Sequence, residues 1–250
     1  MTKMLIGAID AALLGAALLG AAGATVQAEP RAVIELFTSQ GCSSCPAADK
    51  LLSELQDDPS LITLSLPIDY WDYLGWKDTL AIPGHTSRQK AYSRMRGDRE
   101  VYTPQVVING VSQALGSNRE DIEQAVTQSR EKTPALSVSV QLAFGDDRVN
   151  VSVPKANGGP VSGEVWLCPV SRSVPVGIGR GENRGRTITY TNVVRRWIKL
   201  GSWSGKSENF SVPVDAIRST GVDAVAVILQ GGTADKPGPM LGASLAALHD

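Results

Sequence analysis

The sequence predicts a layered α/β unit followed by a mostly antiparallel β-sandwich-like unit. Strand-like and helix-like stretches alternate over residues 32–130. After Pro134 the helical periodicity disappears, and short runs of alternating apolar and polar residues follow, separated by Gly, Pro and Asn. The charge also changes there: residues 29–134 hold 11 basic and 15 acidic residues, whereas residues 135–250 hold 12 and 9. These observations predict two domains, 29–134 and 135–250.

The composition of the 250-residue chain is typical of a globular protein. Apolar residues make up 42% and charged residues 20%, and the formal net charge is −1. This balance excludes a disordered chain, a multi-span membrane protein and a strongly basic nucleic-acid-binding protein, so we expect no nucleic-acid partner. Three cysteines are too few for a small fold held together by disulfides.

Residues 1–28 are predicted to be a signal peptide that is cleaved before Glu29. Lys3 precedes a run of Ala, Leu and Gly, which ends in Thr25-Val26-Gln27-Ala28 with small residues at the third and first positions before the cleavage point. Asp10 interrupts the run, and the 14 residues that follow it are too few to span a membrane comfortably. We therefore expect a periplasmic or secreted protein without a stable membrane anchor, in a compartment where cysteine pairs form disulfides.

Seven elements are predicted in the first domain, in the order β-α-β-α-β-β-α. Apolar runs indicate the strands, and Asn109-Gly110 is typical of a tight hairpin between the last two of them. Ser117-Asn118-Arg119-Glu120 has the capping-box pattern that begins a helix. The strands are predicted at 32–37, 61–68 and 106–108, with a fourth after the hairpin. The first helix includes residues 48–55, the second begins at Thr86 or Ser87 and ends at Gly97, and the third follows the capping box.

Short strands are predicted throughout the second domain, because apolar residues recur there at every second position. Several such strands with frequent turns are typical of an antiparallel sandwich, and the pattern leaves its topology open. The predicted strands cover 136–142, 149–153, 161–170, 187–190, 193–200 and 224–229.

The residues that suggest chemistry are Gly41-Cys42-Ser43-Ser44-Cys45-Pro46, between the first strand and the first helix. Two intervening residues let the sulfurs approach bonding distance, and the N-terminus of a helix favours the thiolate of the first cysteine. Cys42 is therefore the candidate attacking thiol and Cys45 the resolving thiol; an inert disulfide is the alternative. A zinc site would need a second ligand pair, which the sequence lacks, so we expect no resident metal or cofactor. The odd cysteine, Cys168, alternates within a predicted strand and is expected to be a buried free thiol.

A second segment lies ahead of the third strand: Val101-Tyr102-Thr103-Pro104-Gln105, with a proline where the strand need not donate a hydrogen bond. Together, the strand, the Cys-x-x-Cys helix, the Thr-Pro strand, the hairpin and the closing helix resemble the thioredoxin fold. The resemblance implies that the Thr103–Pro104 bond is cis, that Pro104 faces the redox pair, and that Pro104, with Thr103 before it, helps to seat the partner chain.

Two longer stretches narrow the resemblance. Glu35 to Pro46, and Gly179-Arg180-Gly181-Glu182-Asn183 with Thr187 to Asn192, are similar to the DUF1223 family of exported thioredoxin-like proteins. The family name assigns no function, so the resemblance implies a fold more than an activity. The sequence also departs from thioredoxin, because no Trp precedes Cys42 and the intervening dipeptide is Ser-Ser. Both departures leave the redox potential open.

Aromatic residues cluster after the second strand, in Tyr70-Trp71-Asp72-Tyr73-Leu74-Gly75-Trp76. This segment is predicted either to form a lip over the cysteines, with Trp71 and Trp76 binding substrate, or to be a small core beneath a long loop.

Three classes of function remain open at this point. The first is a thiol–disulfide oxidoreductase of the cell envelope, whose partners are thiols or disulfides of proteins or small molecules. The second is a redox-inactive binding module that docks a partner through the aromatic segment and the β domain. The third is a Cu(I)-handling protein, since two reduced cysteines could hold Cu(I).

Overall fold

The computed structural model describes residues 29–132, 135–145, 147–158 and 161–248. The predicted signal peptide and the predicted boundary at Thr133-Pro134 lie outside these residues. Within them, no helix is both long and apolar enough to cross a membrane.

The first half forms the seven elements in the predicted order, with one 3-10 turn at Asp72–Leu74. The elements are β1 (Ala32–Thr38), α1 (Cys45–Leu55), β2 (Leu61–Pro67), α2 (Pro83–Arg96), β3 (Gln105–Ile108), β4 (Ser112–Leu115) and α3 (Arg119–Lys132).

Local turn and cap signals explain most of these boundaries. Asn109 and Gly110 both have positive φ, 50° and 74°, as a two-residue hairpin turn requires. The predicted capping box before α3 is wrong in one detail. The residue that caps the helix is Asn118 and not Ser117, because the side chain of Asn118 accepts the N–H of Asp121. The predicted start of α2, at Thr86 or Ser87, is too late, because the helix begins at Pro83. A proline is tolerated in the first turn, since the N–H that it lacks would have no partner there.

The second half is almost entirely strand. It contains β5 (Gln141–Phe144), β6 (Arg148–Val153), β7 (Gly163–Gly177), β8 (Thr187–Val194), β9 (Ile198–Trp203), β10 (Glu208–Pro213), β11 (Ala224–Thr233) and β12 (Lys236–Ala247). Three details differ from the prediction. Residues 136–140 are not a strand, the predicted strand at 193–200 is split between β8 and β9, and β10 and β12 were not predicted.

One nine-stranded sheet runs through both halves of the chain, in the order β12-β11-β7-β8-β2-β1-β3-β4, with β9 also paired to β7. β1 is parallel to β2 and antiparallel to β3, and β8 joins β2 in parallel where Ser65 faces Val193. The expectation of a separate sandwich is therefore wrong in this respect. The physical reason is that β2 presents an open edge, and β8 covers it.

The sandwich expectation holds only in part, where β10-β6-β5 form a second, three-stranded sheet. Its apolar side packs with residues of β7, β9 and β11 in one buried cluster.

β1, which is buried along its whole length, separates two further clusters. Ile34 and Leu36 face α1 and α3, whereas Val33 and Phe37 share a core with residues of β7 and β11. The two halves therefore share one core as well as one sheet.

Candidate functional site

Cys42 and Cys45 form a disulfide at the N-terminal end of α1, as predicted. Their Cα atoms are 5.4 Å apart, because a tight turn in which the N–H of Cys45 donates to the carbonyl of Cys42 brings them together. Both residues are nearly inaccessible, with exposed fractions of 3% and 0%. The predicted free thiol is also confirmed: Cys168 is unpaired and buried, and burial raises the pKa of its thiol well above the usual value.

The Thr103–Pro104 peptide bond is cis, as the resemblance implied. The carbonyl of Pro104 accepts the N–H of Gly116 at 3.0 Å. A Cβ on Gly116 would lie 2.8 Å from Cδ1 of Leu36 and 3.2 Å from the Cβ atoms of both Ala48 and Pro104, so only glycine fits among these three side chains. Gly116 therefore lies next to both Pro104 and Ala48, and Ala48 is one turn after Cys45 on α1.

Trp71 connects the segment of Thr103 to the cysteine loop. Its indole N–H donates to the Thr103 hydroxyl at 2.8 Å, and a Cβ on Gly41 would lie 3.1 Å from the Cβ of Trp71. Tyr73 stacks on Trp71 with a centroid distance of 6.3 Å and is 76% exposed. Trp71 therefore contacts both Thr103 and Gly41, and it also packs against the core cluster that contains Phe37.

Trp76 occupies a different position, beneath a loop of the second half. Its indole N–H donates to the Gln40 side-chain oxygen at 2.8 Å. Its ring lies against Gly179, where an added Cβ would be 3.1 Å from the ring. Trp76 is part of a small apolar cluster with Ile178 and Tyr190. Trp71 thus links Thr103 to the loop that carries Cys42, whereas Trp76 has a packing position behind Gln40.

Residues 178–186, which we call the cover loop, connect β7 to β8 and contact the cysteine loop directly. The side-chain amide of Asn183 donates to the carbonyl of Cys42 at 2.8 Å and to that of Gln40 at 3.0 Å. The N–H of Ser43 donates to a carboxylate oxygen of Glu182 at 3.2 Å. Asn183 and Glu182 were not predicted as site residues. The available signal was their motif, which is part of the DUF1223 resemblance.

Asp49 is a second feature of the site that sequence reasoning missed. It lies four residues after Cys45, on the same face of α1, and is 3% exposed. The Thr38 hydroxyl is the nearby group that favours its carboxylate form. Burial outweighs this contact and raises the pKa of Asp49 to about 8, and the charge of Asp78 acts in the same direction as burial. Asp49 therefore holds a proton at neutral pH that it can release.

Two further buried groups belong to the surroundings of Asp49. Asp78 accepts the N–H groups of Gln40, Leu80 and Ala81 at 2.8–3.1 Å, and burial raises its pKa in spite of these bonds. The hydroxyl of Tyr190 has no partner within the described part of the chain, and burial raises its pKa, helped by the charges of Asp49 and Asp78. The side of α1 that faces the second half is thus lined with groups that favour the protonated form.

The described residues contain no group of three or more His, Cys, Asp or Glu side chains arranged to hold a metal ion. The reactive groups at this end of α1 are the Cys42–Cys45 disulfide and the buried carboxyl group of Asp49.

Comparison with known proteins extends over most of the chain. The model of the family described as "Protein of unknown function (DUF1223)" matches residues 33–230. A crystal structure of a protein from Agrobacterium tumefaciens is similar at 31% identity and a TM-score of 0.77, and the match covers 88% of this chain and 95% of that one. HBP35 of Porphyromonas gingivalis shares the fold at a TM-score of 0.54 and 13% identity, over 88% of this chain and 76% of its own. No curated protein matches the sequence.

Proposed function

This chain belongs to the DUF1223 family, and because the family description assigns no activity, we propose from the site itself that it is a thiol–disulfide oxidoreductase. The observation that carries the proposal is the Cys42–Cys45 disulfide at the N-terminal end of α1. Unpaired N–H groups at that end of a helix stabilise a thiolate, which is the nucleophile in disulfide exchange.

We further propose that residues 29–132 are a thioredoxin-like unit and that the protein acts in the periplasm or outside the cell. The order of the elements and the position of the cysteine pair between β1 and α1 support the first statement. The sequence of residues 1–28 supports the second. In this compartment the partners are thiols or disulfides of proteins or small molecules.

The reaction runs through a mixed disulfide. In the reduced enzyme, the Cys42 thiolate attacks one sulfur of a substrate disulfide and expels the other as a thiolate. The Cys45 thiolate then attacks the sulfur of Cys42 and releases the second substrate thiolate. The substrate disulfide is reduced to two thiols and the cysteine pair is oxidised; the reverse sequence oxidises a substrate dithiol. In the reverse sequence, Asp49 can give its proton to the Cys45 thiolate that is expelled, because it lies one turn along the same helix face.

The substrate chain is proposed to lie along Thr103, Pro104 and Trp71. Trp71 holds the Thr103 hydroxyl, and exposed Tyr73 extends the same aromatic surface outward. Trp76 acts on the site indirectly, through Gln40.

A redox-inactive binding module is the second candidate, and one observation favours it. Both cysteines are almost fully buried, and Asn183 holds the backbone carbonyl of Cys42 from the second half of the chain. In this reading the disulfide fixes the loop, and the Trp71–Tyr73 surface docks a partner without exchange.

Two measurements distinguish the candidates: the reduction potential of the pair and the pKa of the Cys42 thiol, obtained from the pH dependence of alkylation. For the oxidoreductase we expect a potential well above about −300 mV, below which structural disulfides lie. Cys45→Ser should accumulate a mixed disulfide through Cys42, and Cys42→Ser should abolish exchange with glutathione.

Cys168→Ser is the matched control, since it removes a thiol that is buried away from the pair, and it should exchange at the wild-type rate. Three results together would make the disulfide structural. It would resist reduction by dithiothreitol, the wild type would show no exchange activity, and Cys42→Ser would lower the stability of the protein. The binding module would then be the better assignment.

A further inference from the structure

A cleft lined by none of the cysteine-site residues lies between α2, β7, the segment after β8 and the turn between β11 and β12. Its volume is about 400 Å³, which is within the range of roughly 300–1,000 Å³ typical of sites for small organic ligands. Arg88, Lys90 and Arg94 line it from α2, Trp166 and Trp197 from the sheet side, and Asp235 from the turn.

The apolar part of the cleft is built from two indole rings. Trp166 and Trp197 meet edge to face, with a centroid distance of 6.4 Å and an angle of 76°. The guanidinium of Arg88 lies 4.1 Å from the centroid of the Trp197 ring. The indole N–H of Trp197 is buried and has no acceptor among the described residues.

The charge around the cleft is positive. Lys90 and Arg94 are exposed, lie one helical turn apart, and have no carboxylate within 4 Å in the part of the chain that the structure describes. The charge of Arg88 is already matched by the buried carboxylate of Glu35 at 2.7 Å, so it serves mainly to hold Trp197. Two unmatched cations therefore face the single carboxylate of Asp235.

We propose that this cleft binds a small organic anion with a flat apolar body, such as an aryl carboxylate. The ring would contact Trp166 and Trp197, and the anionic group would meet Lys90 and Arg94. An inorganic anion would leave the indole surface uncovered, and a neutral aromatic molecule would leave the two cations without a partner. The proposal does not rest on the redox function, because no residue of the disulfide site lines the cleft.

Titration of ¹⁵N-labelled full-length protein by NMR tests the proposal, since the five tryptophans give separate indole N–H signals. The probes are 2-naphthoate, its neutral amide 2-naphthamide, and inorganic phosphate. We expect 2-naphthoate to shift the signals of Trp166 and Trp197 saturably. The signals of Trp71 and Trp76, whose N–H groups donate to Thr103 and Gln40, should stay in place. The amide should bind at least fivefold more weakly, and phosphate should cause no saturable shift.

The double variant Lys90→Gln/Arg94→Gln should weaken 2-naphthoate binding roughly fivefold or more at low salt, since two charge contacts are lost. Lys50→Gln/Arg119→Gln is the matched control: it removes the same charge from exposed residues that pair with Glu54 instead, and it should bind as the wild type does. Absence of a saturable shift with 2-naphthoate overturns the proposal. Equal binding of the amide, or an unchanged affinity in Lys90→Gln/Arg94→Gln, overturns it as well.

Discussion

Replacing Asp49 by Asn should stabilise the protein at neutral pH, although it alters a polar residue beside the disulfide. Asp49 is buried on α1, and burial outweighs the contact with the Thr38 hydroxyl that favours the carboxylate. The folded protein therefore favours the protonated acid, whereas the unfolded chain favours the carboxylate. Asn has nearly the shape of the protonated acid and cannot ionise, so the substitution removes the cost of protonation and little else.

The size of the effect follows from the two pKa values. The ordinary pKa of an aspartic acid is 3.8, and burial raises that of Asp49 to about 8. Each unit of difference corresponds to about 1.36 kcal/mol, so at pH 7 the wild type loses about 4 kcal/mol of unfolding free energy. Because the folded-state pKa is raised, this stability is fully present below pH 3.8, is lost as the pH rises, and stays lost above about pH 8. Asp49→Asn should therefore gain about 4 kcal/mol at pH 7 and less than about 1 kcal/mol at pH 4.

Urea unfolding of the oxidised protein at several pH values between 4 and 8 measures this difference, provided that the slope with urea is the same for both proteins. Asp57→Asn is the matched control, since Asp57 is exposed just beyond the end of α1; its difference from wild type should be small at every pH. A difference between Asp49→Asn and wild type that does not change with pH would refute the reasoning. A variant that is less stable than wild type at pH 7 would refute it too.

Three further predictions concern the cover loop and a buried histidine. Asn183→Ala should lower the unfolding free energy by about 1–3 kcal/mol in urea unfolding, because the carbonyls of Gln40 and Cys42 lose their donor. It should also speed reduction of the disulfide by dithiothreitol. An unchanged unfolding free energy would contradict the role given to these hydrogen bonds. Glu182→Gln keeps an acceptor for the N–H of Ser43 but removes a negative charge from the N-terminal end of α1. The pKa of the Cys42 thiol, measured by alkylation in a Cys168→Ser background, should therefore fall, and an equal or higher value would count against it. Burial lowers the pKa of His85 from 6.5 to about 4, so the unfolding free energy should fall as the pH falls from 6.5, by about 3 kcal/mol at pH 4. His85→Gln should lack this decrease in urea unfolding. An equal decrease in the variant would mean that another group causes it.

The parts of the fold that could be predicted from the sequence have local causes. β1 is buried on both faces, and its sequence is accordingly apolar except for Glu35 and Thr38. Asn109 and Gly110 both adopt the positive φ that the hairpin turn requires. The disulfide follows from a spacing of two residues. β12 was missed because it begins Lys-Pro-Gly-Pro, residues that usually end a strand, and it is nevertheless held by a long antiparallel pairing with β11.

The parts that could not be predicted depend on contacts between distant residues. Asn183 is 141 residues from Cys42, and no periodicity relates them. Asp49 fits the helical pattern of α1 as any polar residue would, and its burial depends on contacts of α1 with distant strands, among them β1 and β8. The same limit explains why the prediction of a separate sandwich is wrong. Alternation in β7 and β8 predicts strands correctly, but it does not say which sheet edge they join.

The continuity of the sheet ties the site to the second half of the chain. The cover loop is closed by hydrogen bonds between Ile178 and Arg186 and between Gly185 and Ile178. It leads into β8, which is held on β2 by the pairing of Ser65 with Val193 and by the bond from Asn192 to Thr63. The contacts of Asn183 with the cysteine loop therefore depend on the same β2–β8 pairing that joins strands of both halves in the nine-stranded sheet. A fragment that ends after α3 would lose both the cover loop and the strand on the open edge of β2, so the reactivity of its disulfide would not be that of the whole protein.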